Sequence, residues 1–75
     1  MSQPKDALTP REMDVLKLLA LGWHNKRIAA HLQVNERTIK YHVSEILAKL
    51  EVSNRTKAVT EAARRKWISL EEEQA

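Results

Sequence analysis

The chain has 75 residues and no cysteine, which allows one small domain and excludes disulfide bonds and thiolate metal sites. Its longest nearly apolar run, LLALGW, is too short to span a bilayer and its N-terminus lacks a signal-peptide pattern, so we expect a cytoplasmic protein that does not enter the membrane. The net charge of +3 is uneven, because residues 24–67 hold ten basic and four acidic residues, and this distribution favours a polyanionic partner.

The first predicted helix begins at TPRE. Thr9 can cap it, Pro10 suits the first helical position, and Glu12 completes a capping box. Gly22 ends this helix with a residue that tolerates a left-handed backbone. The apolar residues expected to be buried in it are Val15, Leu16 and Leu19.

Three more helices follow, and no segment alternates with the period of a strand, so the predicted fold class is all-α. The second helix runs from about Asn25 to Leu32 and the third from its cap Asn35 to Leu50. The fourth is capped by Asn54 and extends to about Arg65. Small apolar residues on it allow close packing: Ala58, Val59, Ala62 and Ala63.

A short helix, a turn of three to four residues and a longer helix have the spacing of a helix-turn-helix unit. The turn is too short for antiparallel packing, so the two helices must cross steeply. The outer face of the third helix then remains free to enter a DNA major groove, which is about 12 Å wide.

The third helix has a polar face opposite its apolar stripe. The stripe consists of Ile39, Val43, Ile46, Leu47 and Leu50, and opposite it lie Arg37, Tyr41, Ser44, Glu45 and Ala48. Lys40 stands on one flank, and Thr38, His42 and Lys49 stand on the other. We predict base contacts from Arg37, Lys40, Tyr41 and Ser44, and phosphate contacts from Asn25, Lys26, Thr38, His42 and Lys49. A merely solvated helix surface is the alternative, and the helix-turn-helix spacing and the basic block favour DNA.

The segments LTPRE, VLKLLALG, NKRIAAHL, TIKYHV, ILAKLEV and NRTKAV together resemble the DNA-binding domain of the LuxR/NarL/FixJ (GerE-like) family. The resemblance covers about residues 8–68. It implies a compact four-helix helix-turn-helix domain of a bacterial transcription regulator, often the output domain of a two-component response regulator. It implies the same base and phosphate contacts on double-stranded DNA, a homodimer on DNA, and RNA polymerase as a further candidate partner. The residues it implies for dimerisation on the fourth helix are Val59, Thr60 and Ala63.

Three residues depart from the family pattern. His24 stands where the family usually has a Ser or Thr cap, and Lys66 stands where Gly commonly ends the fourth helix. We expect Trp67 to supply an apolar seal beside Lys66. Tyr41 occupies a variable position, so the target DNA sequence does not follow from the resemblance.

The remaining predictions concern the termini and other chemistry. Residues 1–7 are expected to form a flexible linker and residues 69–75 an acidic tail, and the linker-like MSQPKDA favours an output domain cut from a longer regulator. A metal site at His42 and Glu45 has too few ligands, and no nucleophile–base pair or phosphate loop indicates an enzyme, a cofactor or a small-molecule ligand. The competing hypothesis is a protein-interaction module that docks a partner through the fourth helix.

Overall fold

The computed structural model describes residues 7–69, which form four helices and no strand, as the all-α prediction requires. The helices are α1 (Pro10–Ala20), α2 (Asn25–Leu32), α3 (Glu36–Leu50) and α4 (Arg55–Arg64). The α4 helix is one residue shorter than predicted, because Arg65 is its C-cap. The predicted linker and acidic tail lie, apart from Ala7 and Ser69, outside the described residues.

Three of the four helices begin with a side-chain cap. Thr9 and Glu12 form the predicted capping box, with Glu12 N–H donating to Thr9 Oγ1 at 3.1 Å and Thr9 N–H donating to Glu12 Oε1 at 3.0 Å. Asn35 accepts the backbone N–H of residue 38 at 2.9 Å, and Asn54 accepts that of residue 57 at 2.9 Å. His24, which stands where the family usually has a Ser or Thr cap, makes no side-chain cap hydrogen bond.

All four helices end in the same way. After each one, a residue with positive φ is followed by an apolar residue whose N–H bonds to a carbonyl five residues earlier, as in a Schellman motif. The positive-φ residues are Gly22, Gln33, Glu51 and Lys66. The apolar residues that follow them, all packed against the core, are Trp23, Val34, Val52 and Trp67. The apolar seal predicted at Trp67 is therefore present.

Helix α3 is the central element of the core and packs against α1, α2 and α4. The core side chains with no exposed surface include Leu16 of α1, Ile28 of α2 and Ile39 of α3. On α4, Ala58 and Ala62 are fully buried, so the small side chains allow the close packing that was predicted. Within residues 7–69, no helix is long and apolar enough to cross a membrane.

The connection between α2 and α3 is residues 33–35. Gln33 turns the chain in the left-handed region at φ 60°, and Asn35 caps α3. So short a connection fixes the N-terminal end of α3 beside α2, while the side of α3 away from the core remains exposed.

Candidate nucleic-acid interface

The outer face of α3 carries the four predicted base-contacting residues, and all four are exposed: Arg37, Lys40, Tyr41 and Ser44. Tyr41 is 62% exposed although its ring is large and mostly apolar. Its ring lies 5.9 Å from the His42 ring, centroid to centroid. Within the described range, neither Arg37 nor Lys40 makes an ion pair, so both charges are available to an anionic ligand.

One flank of α3 is half-buried rather than exposed. Its members are Thr38, His42, Glu45 and Lys49, of which Glu45 was placed on the outer face by the helical projection. The Thr38 hydroxyl donates to Asn35 at 3.2 Å. The Nδ1 atom of His42 is buried and has no hydrogen-bond partner, so a ligand can reach this imidazole only through Nε2. Three of the predicted phosphate contacts therefore lie on a flank with restricted access.

Lys49 makes an ion pair within the domain that the sequence analysis missed. Its Nζ lies 2.7 Å from Glu12 Oε1, and the two side chains are 21% and 6% exposed. Burial raises the pKa of Glu12, but the hydrogen bonds from Lys49 and from Thr9 outweigh it, so this pKa lies below its ordinary value. The ammonium group proposed to contact phosphate is thus already paired with a buried carboxylate.

The N-terminus of α2 combines free backbone N–H groups with nearby positive charge. Without a side-chain cap at His24, the first-turn N–H groups lack partners from that side chain, and such groups favour an anion. Lys26 is exposed, whereas Asn25 is half-buried and its Oδ1 accepts a hydrogen bond from the Arg55 guanidinium of α4. Arg55 was not among the predicted site residues, because 30 residues separate it from Asn25.

Trp23 is held between two side chains of α2. The Arg27 guanidinium carbon lies 3.8 Å from the centroid of the Trp23 ring, and the His31 ring meets it edge-on at 5.2 Å. This arrangement attaches the start of α2 to the α1–α2 turn.

The predicted dimerisation residues lie on the accessible side of α4. Thr60 is exposed, and Val59 and Ala63 are half-buried. Val59 and Thr60 also line a shallow groove of about 320 Å³ between α4 and the end of α1. On another side of α4, Glu61 accepts hydrogen bonds from Arg64 at 2.5 Å and Arg65 at 2.7 Å, which lower the pKa of Glu61 from 4.5 to about 2.

The described part of the chain contains no group of three or more His, Asp or Glu side chains placed to hold a metal ion. His42 and Glu45 lie on the same flank of α3, but a third ligand does not join them there.

A short helix, a three-residue turn and a longer helix with an exposed basic face define a helix-turn-helix domain. Residues 6–62 match the family described as bacterial regulatory proteins, luxR family. This match covers most of the chain, which therefore belongs to the luxR family of bacterial regulatory proteins. The resemblance found in the sequence is confirmed, and the family supports DNA-binding transcription regulation.

Individual relatives agree with this assignment. The chain is 41% identical over 68 residues to the transcriptional regulatory protein DegU of Brevibacillus brevis, covering 91% of this chain and 29% of DegU. The structure of the transcription factor GerE matches with a TM-score of 0.79 and 36% identity, covering 84% of this chain and 94% of GerE. The response regulator ChrA of a heme-sensing two-component system matches with a TM-score of 0.82 and 41% identity, covering 91% of this chain and 34% of ChrA. The chain thus spans about a third of DegU and of ChrA.

Proposed function

We propose that the domain binds double-stranded DNA sequence-specifically, with α3 in the major groove, as the output domain of a two-component response regulator. The observation that carries this proposal is the exposed outer face of α3, whose cations have no ion-pair partner within residues 7–69. Arg37 and Lys40 can donate to guanine O6 and N7, Ser44 can donate or accept, and the Tyr41 ring can contact a thymine methyl group.

Phosphate contacts would position this face on the duplex. The best supported are Lys26, which is exposed, and the backbone N–H groups at the start of α2, with Asn25 beside them. Thr38 and the Nε2 atom of His42 would contact the backbone along the half-buried flank. Lys49 is the weakest of the predicted contacts, because its ammonium pairs with Glu12.

Dimerisation on DNA would use α4. Val59 and Ala63 are partly exposed apolar side chains, and Thr60 between them is exposed, so two copies can approach closely along this helix. Half-sites would then lie about one helical turn apart. RNA polymerase is a further candidate partner of the DNA-bound pair.

The test is a backbone amide chemical-shift titration with a generic duplex at low and at high salt. We expect shifts at residues 25–27 and 37–44 that weaken as salt rises, because phosphate contacts release counterions. Shifts confined to α4 would instead favour the protein-interaction module.

Substitution of Lys40 tests base recognition directly. Lys40→Ala should cost roughly 1–3 kcal/mol of binding and relax the preference at one base pair. Lys17→Ala is the matched control, because Lys17 is an exposed lysine on α1 rather than on α3. Equal losses on all duplexes would mean that Lys40 contacts only phosphate.

A further inference from the structure

We propose that Glu12 and Lys49 form a positioning pair that fixes the orientation of α3, and that Lys49 is not a phosphate contact. The effect of this pair on DNA recognition rests on the proposed function, since the effect requires α3 to bind in the major groove. The effect of the pair on the orientation of α3 is a property of the free protein and does not require DNA.

The pair joins the first turn of α1 to the last turn of α3. Glu12 is only 5% exposed, and it is the buried charged residue of the described chain. Its Oε1 accepts hydrogen bonds from Lys49 Nζ at 2.7 Å and from the Thr9 backbone N–H at 3.0 Å. The carboxylate is therefore part of the α1 capping box and part of the contact with α3 at the same time.

The Glu12–Lys49 contact specifies the orientation of α3, which the apolar core alone does not specify. The core packing of α3 against α1 is apolar, and burial of apolar surface has no preferred direction. The 2.7 Å contact between Lys49 Nζ and Glu12 Oε1 instead joins two specific atoms, and separating them would leave a buried carboxylate unpaired. The turn at residues 33–35 holds one end of α3, and Lys49 holds the other. The outer face of α3 lies between these two attachments.

Using Lys49 as a phosphate contact would disrupt this arrangement. Its ammonium would have to leave Glu12, and an unpaired buried carboxylate is strongly unfavourable. The Lys49 side chain is also only 21% exposed, whereas Lys26, Arg37 and Lys40 are exposed cations. A phosphate near this surface therefore has better partners than Lys49.

The two roles predict opposite effects for Glu12→Gln. If Lys49 contacts phosphate, this substitution releases the ammonium, and DNA binding becomes tighter and more dependent on salt. If the pair positions α3, Glu12→Gln weakens binding to a specific duplex and leaves nonspecific binding nearly unchanged. Glu61→Gln is the matched control, because it makes the same charge change on α4, where Glu61 pairs with Arg64 and Arg65.

The experiment measures the affinity of the domain and its variants for two duplexes, one selected from a random library with the wild-type domain and one scrambled from it. For Glu12→Gln and Lys49→Met we expect binding to the selected duplex to weaken about fivefold or more, the cost of one misread base pair, with little change on the scrambled duplex. The double variant should be no weaker than the weaker single variant. A uniform loss for Lys49→Met, with the salt slope reduced by about 0.9, would overturn the proposal.

Urea unfolding of each variant establishes that it is folded under the binding conditions. Residual dipolar couplings of backbone amides in the free protein then compare the orientation of α3 with that of α1. We expect a changed orientation in Lys49→Met and an unchanged one in Glu61→Gln. If the wild-type domain binds no duplex, the proposed function fails by itself. An unchanged orientation of α3 in Lys49→Met would overturn the positioning role whether or not DNA binds.

Discussion

Replacement of Gly22 by Ala isolates the energetic cost of the left-handed backbone at the end of α1. Gly22 has φ +84°, and a Cβ added there would meet no atom within 4 Å. The substitution therefore introduces no clash, and its effect comes from backbone conformation alone. A left-handed L-residue costs roughly 1–2 kcal/mol, and the lower entropy of the unfolded chain returns about 0.4–1 kcal/mol. We expect Gly22→Ala to lower the free energy of unfolding by about 1 kcal/mol.

The assay is urea unfolding followed by far-UV circular dichroism, with a thermal melt as a second measurement. The urea midpoint should fall while the m-value stays the same, because the surface exposed on unfolding does not change. For a domain of this size, about 1 kcal/mol corresponds to a decrease in Tm of roughly 4–8 °C. A loss above about 3 kcal/mol would refute the reasoning, since it would require a steric or packing defect that the open space around Gly22 excludes.

The reciprocal substitution at Lys66 provides the control. Lys66 is exposed and has φ 63°, so Lys66→Gly should raise the free energy of unfolding by about 0.5–1 kcal/mol. Lys66→Ala removes the same side chain but keeps the left-handed strain, and it should be nearly neutral. If Lys66→Gly and Lys66→Ala have equal free energies of unfolding, the stabilisation of Lys66→Gly does not come from relief of backbone strain.

Two further predictions concern a helix cap and a titration. His24→Ser supplies the missing side-chain acceptor of α2 and should raise the free energy of unfolding by about 0.5–1 kcal/mol in urea; an unchanged midpoint would contradict this expectation. Because the pKa of Glu61 lies below its unfolded value, its ion pairs with Arg64 and Arg65 contribute fully above pH 4.5 and are lost as the pH falls towards 2. Carboxyl carbon NMR should give a Glu61 midpoint near 2, moving towards 4.5 when both arginines are replaced by alanine; a wild-type midpoint near 4.5 would show that these pairs do not persist in solution.

Much of the fold followed from local signals in the sequence. The caps at Thr9, Asn35 and Asn54 identify three helix starts. Each cap side chain accepts the backbone N–H three residues ahead, so the signal lies within one helical turn. Helical spacing of apolar residues identified the core, and the same projection placed Arg37, Tyr41 and Ser44 on the exposed face of α3. These signals are local, and a single sequence contains them.

The helix ends and the paired charges were harder to predict. Three residues that are not glycine adopt the left-handed conformation: Gln33, Glu51 and Lys66. Their residue types therefore do not predict the positions of these helix ends. The Lys49–Glu12 contact spans 37 residues, and nothing local to either residue indicates it. Lys49 was therefore predicted as a phosphate contact without regard to Glu12, with which its ammonium pairs in the structure.

Ion pairs within the domain reduce the number of basic residues in the segment 24–67 that are available to bind a polyanion. The ten basic residues of residues 24–67 favoured a polyanionic partner, but acidic side chains of the domain pair with Lys49, Arg64 and Arg65. Within residues 7–69, the cations at the start of α2 and on the outer face of α3 make no ion pair. Ten basic residues less these three leave seven without an ion pair within residues 7–69, and four of the seven lie on α2 and α3: Lys26, Arg27, Arg37 and Lys40. Because the salt dependence of DNA binding counts the phosphates neutralised, it should follow these unpaired cations rather than the total number of basic residues.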